Sequence, residues 1–453
     1  MNTKHIVLIQ CLWLTVLHPP NLGLAYVAAV LMEAGYKVTI LDANIELFHQ
    51  LDTQDKELLQ YSNPNLIVEL AKNTLHKYPS LINDLYRQII ELEPDVAGFS
   101  VWETNDLISL SIARQLKNSN KSLPIIFGGP SCYPLYSGRN YIQEECVDLV
   151  IYGEAEKTIV RVLDSFFSHN KLIPSSGGML VRKNGIVQDL GAGERVEKLD
   201  ELPYPAVNIF PTGKYINQEM PISFNRGCIF RCEYCEISEM RPGFRSREPK
   251  NIFREMQYRL KEYPRTRKFF VCDSTATANF KQLNELCELI ITSSLEVYFT
   301  AYATPHAYMN TEFLSKMRKA GFNNMVFGVE SGSDRILERF GKKLKIGLIE
   351  KIVRETHDAG IITGVNILVG LPGETDEDFS CSLEFLQRNC EYIDNVGINN
   401  FGIMPFSYIA FHPEQFNFIP EEIKLERLQL LRDAIDDFGL SYTVRDLPAG
   451  KKQ

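Results

Sequence analysis

The stretch that decides the fold is Phe224-Asn-Arg-Gly-Cys228-Ile-Phe-Arg-Cys232-Glu-Tyr-Cys235. It overlaps the end of an apolar run of strand length, residues 222–225, so the three cysteines should lie on a loop at the carboxyl end of a strand. Three thiolates at this spacing suit three irons of a 4Fe–4S cube, and the absence of a fourth cysteine nearby leaves one iron open. A zinc site is the alternative, but zinc usually takes a second pair of Cys or His ligands, and no such pair follows downstream.

The segment around and after this loop repeats a strand–helix pattern. Six strand-like runs occur at residues 222–225, 268–271, 297–301, 324–329, 364–369 and 395–400, with helical patterns between them. Six β/α units predict a partial parallel barrel, (β/α)6, with its site at the carboxyl ends of the strands. The cysteine loop, Glu330 and the turn at residues 371–374 should therefore meet at one mouth.

The amino-terminal part shows a second α/β pattern. Strand-like runs at residues 5–12, 36–41, 95–100, 123–127 and 147–152 are separated by helical stretches. This alternation predicts a doubly wound, Rossmann-like parallel sheet, whose ligands bind beyond the carboxyl ends of the strands. A hairpin with an Asn-Gly turn and a proline-punctuated connector follow, and a charged amphipathic helix from Pro420 is expected to cap the barrel.

Composition limits the function. The chain has 453 residues and a formal net charge of −9, which argues against nucleic-acid backbone binding as its main task. No run approaches the roughly 18 apolar residues of a membrane span, and the opening segment is not a convincing signal peptide, so a cytoplasmic protein is expected. Of ten cysteines, only three are tightly grouped, which favours metal or redox chemistry over a disulfide framework.

With the barrel pattern, the CxxxCxxC loop resembles the radical S-adenosylmethionine (SAM) superfamily. In that family the open iron binds the amino and carboxylate groups of SAM, and one electron from the reduced cluster cleaves the sulfonium to give a 5′-deoxyadenosyl radical. The resemblance implies that Cys228, Cys232 and Cys235 are the cluster ligands. It also implies an electron donor such as flavodoxin or ferredoxin.

Further matches along the barrel place SAM itself. Tyr234 matches the aromatic position beside the adenine, Glu330 the carboxylate that holds the ribose hydroxyls, and residues 364–374 the strand and turn beside the adenine. The usual Gly-Gly-Glu strand end is replaced by residues 271–275, so Asp273 or Ser274 is expected to take its place. The expected SAM contacts are Tyr234, Asp273, Ser274, Glu330, Ser331, Asn366, Gly370 and Gly373.

The amino-terminal segments 20–31, 35–42, 98–100, 128–130 and 153–156 resemble the cobalamin (B12)-binding domain that is fused to one large radical SAM subgroup. Small residues after strands would let a corrin and its nucleotide tail approach the backbone. Ser100, Gly128 and Gly129 match the positions that bind this tail. The Asp-x-His-x-x-Gly motif is absent, so the lower face of the cobalt is expected to lack histidine. A degenerate domain that binds no cobalamin is the alternative.

The expected organisation has four parts. Residues 1–170 form the cobalamin-binding-type domain, 171–215 the hairpin and linker, 216–410 the radical SAM barrel and 411–453 a helical cap. The expected cofactors are a 4Fe–4S cluster, SAM and, unless the first domain is degenerate, cobalamin, and the expected substrate is a small molecule or a peptide. Basic residues in or after the cluster loop are expected to be a solvated stretch; they are Arg231, Arg241, Arg245 and Arg247.

Three functions remain open from the sequence. The first is cobalamin-dependent methyl transfer, or related carbon-skeleton chemistry, on a natural-product-type substrate. The second is cobalamin-independent epimerisation of a ribosomally made peptide, in which a thiol returns the hydrogen atom; the candidate donors are Cys272, Cys381 and Cys390. The third is a non-catalytic iron–sulfur or cobalamin sensor, which would not need the ribose carboxylate and the adenine turn.

Overall fold

A computed structural model describes residues 3–11, 19–60, 72, 74–169, 172 and 177–444. The chain divides after Gln218 into two compact units. Each unit is built on its own seven-stranded sheet. Among the described residues, no helix is both long and apolar enough to cross a membrane.

The first unit contains a sheet in the order β2-β1-β3-β4-β5-β6-β7. Its strands are β1 His5–Gln10, β2 Lys37–Asp42, β3 Val96–Ser100, β4 Ile125–Gly128, β5 Leu149–Ile151, β6 Met179–Lys183 and β7 Ile186–Asp189. Its helices are α1 Leu22–Glu33, α2 Ala43–Gln50, α3 Thr53–Gln60, α4 Pro79–Glu91, α5 Asp106–Ser119, α6 Gly138–Tyr141 and α7 Glu156–His169. Strand β1 is buried along its whole length, as expected for a central strand covered by helices on both faces.

The first five strands are parallel, which confirms the doubly wound prediction. The chain runs from β1 to β2 on one side and then returns to place β3 on the other side of β1. The topological switch point, where such sheets bind ligands, therefore lies between the carboxyl ends of β1 and β3. Strand β6 pairs antiparallel with β5, so the hairpin that was expected as part of a linker extends this sheet.

The second unit contains a parallel sheet in the order β16-β15-β14-β13-β12-β11-β8. Its strands are β8 Met220–Ile222, β11 Lys268–Val271, β12 Tyr298–Ala303, β13 Phe322–Glu330, β14 Ile362–Val369, β15 Asn395–Asn400 and β16 Ser441–Val444, and a short ladder joins β9 Asn225–Arg226 to β10 Arg245–Ser246. Within the described ranges β8 and β16 do not pair, so the barrel is open. The partial barrel is confirmed; its seventh strand, β16, was not predicted.

The helices of the second unit follow the strands in turn. They are α8 Ile237–Met240, α9 Pro249–Glu262, α10 Phe280–Thr292, α11 Thr311–Lys319, α12 Asp334–Arg339, α13 Ile346–Asp358, α14 Asp376–Asn389, α15 Tyr408–Phe411 and α16 Glu421–Asp437. The expected carboxy-terminal helix is α16, and it buries Leu428, Leu431 and Ile435 in the core of this unit. It is followed by β16, so this segment adds a strand to the barrel as well as a helix.

Alternation along the barrel strands separates the core from the site. Phe269, Phe299, Phe327 and Val365 point into one core that the helices also enter. Their neighbours in sequence occupy the opposite face of the sheet because successive strand residues alternate. That inner face carries half-buried residues from four adjacent strands; they are Phe270, Tyr302, Gly328 and Asn366.

Candidate active site

The cluster loop is closed by a backbone contact at its base. Gly227 has a φ of 82°, and a Cβ at this position would lie 2.6 Å from the Gly243 carbonyl oxygen and 3.0 Å from that of Arg241. The paired strands β9 and β10 flank this contact. Gly227 therefore lets the two ends of the loop approach each other.

Glu233, between the second and third cysteines, fixes the other side of the loop. Its N–H donates to the Phe340 carbonyl at 3.1 Å, and its carbonyl accepts from the Ile409 N–H at 3.2 Å. Its carboxylate pairs with Arg339 at 2.9 Å. The Arg339 guanidinium also lies over the Phe416 ring, 4.7 Å from its centroid. The loop is therefore held by residues that follow β13 and β15.

The three cysteines are free and only partly accessible: Cys232 is buried, and Cys228 and Cys235 are half-buried. Burial raises the pKa of the Cys235 thiol to about 12. Among the described residues, no three His, Cys, Asp or Glu side chains converge on one metal position, as a zinc site requires. A cubane takes one thiolate per iron and has no need of such convergence, so the loop fits it better than it fits zinc.

Tyr234 belongs to a separate hydrophobic cluster at the mouth of the barrel. It packs beside six buried residues: Ile336, Phe340, Leu371, Phe401, Ile409 and Phe416. Its hydroxyl is buried and has no hydrogen bond of ordinary geometry to the described residues. Burial raises the pKa of this hydroxyl well above its usual value. A buried polar atom without a partner is a place where a ligand group fits.

Glu330 ends β13 in an unusual backbone conformation. Its φ is 72°, in the left-handed region that residues other than glycine rarely adopt, and the pairing of β13 with β14 shifts register beside it. Its carboxylate lies 3.4 Å from the Lys342 ammonium. A Cβ on Gly328 would approach the same carboxylate to 2.6 Å, so glycine is needed there. Such conformations concentrate at functional sites, in agreement with a ligand-binding role for Glu330.

The predicted adenine turn is fixed from two sides. Gly370 has a φ of 86°, its N–H donates to Glu374 at 3.1 Å, and Glu374 pairs with Arg427 of α16 at 2.8 Å. On the other side, the Gly373 carbonyl accepts from Arg335 at 2.8 Å. Gly373 has a φ of 75° with open space at its Cβ position, so glycine serves the turn conformation there.

Two further predicted SAM contacts lie beside this turn. The Asn366 side chain lies over β15, where a Cβ on Gly397 would come within 2.1 Å of its oxygen. Asn366 thus belongs to the inner face. Ser331 is fully buried, and its hydroxyl accepts from the Ser333 N–H at 3.2 Å. Ser331 therefore caps the chain after β13 and does not offer an exposed contact.

Asp273 and Ser274, the two candidates to replace the missing Gly-Gly-Glu motif, have different surroundings in the structure. Asp273 is buried and accepts from the Ser223 hydroxyl at 2.9 Å, the Phe224 N–H at 3.0 Å and the Asn225 amide at 3.1 Å. Burial raises the pKa of Asp273 to about 7. Both of its oxygens are engaged with the strand that leads into the cluster loop, so Asp273 positions the loop. Ser274 is exposed and is the one of the pair that remains accessible.

The three thiols expected as hydrogen donors do not lie together. Cys272 follows β11 at the carboxyl edge of the sheet, where burial raises the pKa of its thiol. Cys381 is half-buried in α14, whose backbone contacts Gly332 after β13. Cys390 follows the end of α14, which leads to the amino end of β15. The expectation for Cys390 is therefore wrong, because a helix after a parallel strand returns to the opposite edge of the sheet.

The basic stretch near the loop was also predicted incorrectly in part. Arg231 and Arg241 are exposed, but Arg245 and Arg247 are buried. Arg247 pairs with the buried Glu255 at 2.6 Å and donates to the Ser223 carbonyl at 2.8 Å. These two arginines therefore support the segment before the loop.

His306 is a residue of the mouth that the sequence analysis missed. It follows β12, and its ring stacks on Phe230 of the cluster loop with 5.7 Å between centroids. Its Nε2 is buried without a hydrogen-bond partner among the described residues, and burial lowers the pKa of its imidazole. The signal that could have revealed it is a histidine placed three residues after the carboxyl end of β12.

In the first unit, polar side chains gather at the switch point. The Asn21 amide donates to Gln10, at the end of β1, at 2.7 Å and lies 3.5 Å from the Ser100 hydroxyl, at the end of β3. Both Gln10 and Ser100 are buried. Ser100 is therefore placed where a doubly wound sheet binds its ligand. Trp13 and His18, which follow the first predicted strand, lie outside the described residues.

The two glycines after β4 have different local roles. A Cβ on Gly129, whose φ is 110°, would lie 2.7 Å from the Val101 carbonyl oxygen, so the protein backbone itself needs this glycine. A Cβ on Gly128 would meet only the Ile151 carbonyl oxygen, at 3.6 Å. The protein does not need glycine at 128 for packing, which fits a position kept small for a ligand.

Two family models match the chain. The radical SAM superfamily matches residues 222–386, and the B12-binding domain matches residues 16–163. The chain therefore contains a radical SAM domain and a B12-binding domain, which confirms the expected pair of domains. The domains imply a 4Fe–4S cluster, SAM and cobalamin as cofactors.

Two curated relatives match this enzyme over most of its length. An uncharacterized methyltransferase of Pyrococcus horikoshii, PH0819, is 25% identical over 311 residues, which are 68% of this chain and 67% of that protein. The anaerobic magnesium-protoporphyrin IX monomethyl ester cyclase of Synechocystis is 23% identical over 87% of this chain and 72% of that protein.

Solved structures share the fold. The cobalamin-dependent SAM radical enzyme OxsB, with aqua-cobalamin and SAM bound, aligns with a TM-score of 0.65 at 17% identity over 96% of this chain. The present chain spans 56% of that protein. The radical SAM methyltransferase TsrM from Kitasatospora setae, with cobalamin and a 4Fe–4S cluster bound, aligns with a TM-score of 0.64 at 16% identity over 91% of this chain and 75% of that protein. Neither the sequence relatives nor the solved structures support the epimerase function or the sensor function.

Proposed function

We propose that this enzyme transfers a methyl group from SAM to a carbon atom of a small molecule, with cobalamin as the methyl carrier. The observation that carries the proposal is a single chain with two sites: a three-cysteine loop beside Glu330, and a B12-binding fold with Ser100 and Gly128 at its switch point. A sensor would need no ribose carboxylate, and an epimerase would need no cobalamin site. The two methyltransferase relatives support this choice.

The barrel residues have distinct proposed roles at the mouth. Cys228, Cys232 and Cys235 hold three irons of the cluster, and Asp273 fixes the strand that precedes them. Glu330 accepts hydrogen bonds from the ribose hydroxyls of SAM. Tyr234 and the turn at Gly370 and Gly373 enclose the adenine, and Asn366 supplies polar contacts on the inner face. The exposed Ser274 completes the set carried over from the family.

In the first unit, Ser100 is proposed to donate a hydrogen bond to the cobalamin tail, while Gly128 and Gly129 leave room for it. The bound cofactors supply the radical and the methyl group, whereas the protein orients SAM and substrate and excludes water from the reacting atoms. The aromatic residues packed around Tyr234 serve this exclusion.

The partner and the location complete the proposal. We propose a one-electron donor of flavodoxin or ferredoxin type and a cytoplasmic location. All ten cysteines are free in the structure, as expected in a reducing compartment. We propose the division after Gln218 as the domain boundary, because β6 and β7 extend the first sheet whereas α16 and β16 belong to the second unit.

Two products of SAM distinguish the candidate reactions. Anaerobically reconstituted enzyme is reduced with dithionite in the presence of SAM, with and without added cobalamin, and the products are quantified by mass spectrometry. Loss of the methyl group leaves S-adenosylhomocysteine, and reductive cleavage leaves 5′-deoxyadenosine. Methyl transfer predicts S-adenosylhomocysteine that depends on cobalamin. Its absence, with 5′-deoxyadenosine still formed, would favour hydrogen-atom or skeleton chemistry, while absence of both products would reject a radical SAM activity.

Iron and cobalt content supply a test that does not depend on turnover. About four irons and one cobalt per chain are expected after reconstitution, one cubane and one corrin. Iron without cobalt would leave the first unit as a scaffold and overturn the methyl-transfer proposal.

A further inference from the structure

Lys342 is a buried lysine at the mouth of the barrel, with 7% of its surface exposed. It follows α12, and its N–H donates to the Leu337 carbonyl at 2.9 Å. The residues on either side of it, Gly341 and Lys343, both have left-handed backbones, with φ values of 70° and 53°. This conformation is unfavourable for Lys343, so the loop is strained at this position. The resulting bend turns Lys342 inward.

The ammonium lies between two groups of the proposed site. Its Nζ is 3.4 Å from the Glu330 carboxylate, and a Cβ on Gly328 would lie 3.2 Å from it. The residues just before Lys342 contact the cluster loop: the Phe340 carbonyl accepts from the Glu233 N–H at 3.1 Å, and a Cβ on Gly341 would lie 3.4 Å from the Arg231 carbonyl oxygen. The lysine therefore lies beside both the proposed ribose carboxylate and the segment that carries the cluster ligands.

The contact with Glu330 does not account for burying this charge. Ion pairs formed for structure are usually about 2.7–2.9 Å long, and a lysine ammonium has three donors. Among the described residues, the Lys342 ammonium makes one polar contact, and at 3.4 Å it is longer than this range. Burying an ammonium costs several kcal/mol unless other negative charge repays it. The cluster, with three thiolates, would bring such charge.

We propose that Lys342 is a positioning residue that holds a fixed positive charge beside the cluster. This charge stabilises the reduced cluster and so raises its reduction potential. The step is the addition of one electron from the external donor to the cluster, with no bond made or broken. It adds one negative charge beside the Cys232 thiolate, and a fixed positive charge lowers the energy of that state. This inference rests on the proposed radical SAM site.

The experiment is a redox titration of reconstituted protein without substrate or SAM, followed by the electron paramagnetic resonance signal of the reduced cluster. Lys342→Met should move the midpoint potential to a more negative value, while Lys342→Arg should stay near the parent. Glu330→Gln, which removes a negative charge beside the same lysine, should move it the opposite way. Lys343→Met is the matched control, because Lys343 is exposed in the same loop.

Iron content separates the possible failures. Wild-type protein without iron would overturn the proposed function itself. Wild-type potential in a Lys342→Met protein with full iron content would overturn the inference alone. If Lys342→Met does not assemble a cluster, Lys342→Gln is titrated in its place, and an unchanged midpoint potential in that variant overturns the inference. A purely structural lysine could be neutralised without shifting the potential of the assembled cluster.

Discussion

The Arg427 guanidinium lies 2.8 Å from the Glu374 carboxylate, and both side chains are almost completely buried. The same carboxylate accepts from the Gly370 N–H, and the guanidinium also pairs with Asp376 at 2.8 Å. A helix near the end of the chain thus holds the turn proposed to bind adenine. The pair is separated by 53 positions in sequence.

Replacing Arg427 with Met should loosen this turn. The substitution leaves Glu374 buried without its partner, which typically costs about 3–5 kcal/mol of unfolding free energy. Thermal unfolding should occur at a lower temperature, and SAM should bind more weakly by calorimetry while iron content stays unchanged. Arg388→Met, which removes a surface pair with Glu350, should cost less than about 1 kcal/mol. Equal effects of the two substitutions would contradict the assignment.

Stability should depend on pH through Glu374. Burial raises its pKa to about 7, above the ordinary value near 4 of the unfolded chain. The folded state therefore holds a proton that the unfolded state has released, so stability falls from about pH 4 to pH 7 by up to about 1.4 kcal/mol per pH unit and levels off above. Glu374→Gln should flatten this decline in melting temperature. Glu391→Gln, at an exposed position, should leave the slope unchanged.

The cluster ligands can be tested one at a time. Alanine at Cys228, Cys232 or Cys235 should remove most of the bound iron after anaerobic reconstitution, because each thiolate holds its own iron. Cys390→Ala is the control, since this thiol follows the helix that leads to the opposite edge of the sheet. Retention of full iron content by all three variants would refute the cluster assignment. The measurement is iron per chain by elemental analysis.

Gly328→Ala should displace the Glu330 carboxylate, because the added Cβ would come within 2.6 Å of it. We expect weaker SAM binding, measured by calorimetry, with the iron content of the parent. Gly347→Ala is the matched control: no atom lies within 4 Å of the added Cβ, and the position is helical. Alanine there should be neutral or stabilise by about 0.5–1 kcal/mol. Unchanged SAM affinity in Gly328→Ala would argue against Glu330 as a ligand.

In the first unit, Gly128→Val should reduce bound cobalt severalfold with little change in the melting temperature, since an added Cβ would meet only the Ile151 carbonyl oxygen, at 3.6 Å. Gly129→Ala should instead lower the melting temperature, because its left-handed backbone and the close Val101 carbonyl oppose a side chain. Cobalt per chain and calorimetry distinguish the two outcomes. Full cobalt content in Gly128→Val would remove this position from the cobalamin site.

The strands were predictable where their side chains alternate or form apolar runs. Residues 268–271 and 395–400 were predicted with the bounds that the structure has, because one face of each strand enters the core. Strand β16 was not predicted, since Ser441–Val444 has only four residues and gains its place by pairing with β15.

The placement of Cys228, Cys232, Cys235 and Glu330 at the carboxyl ends of strands was predictable, because a motif carries these residues. Lys342 was missed because its direction depends on two left-handed neighbours, and backbone conformation of this kind leaves no periodic signal. Asp273 was expected to face SAM. It is buried instead, because three hydrogen-bond donors of residues 223–225 hold its carboxylate. Contacts between residues far apart in sequence decide such roles.

The left-handed backbone of Glu330 has a consequence for the evolution of this chain. A residue other than glycine costs about 1–2 kcal/mol in this conformation. Glycine would adopt it without strain, yet it would delete the carboxylate. Selection for stability alone should therefore drive position 330 towards glycine, whereas selection for activity should hold glutamate there. A library of this chain sorted only for folding should lose Glu330 early, and its persistence in active descendants would record the conflict between the two pressures.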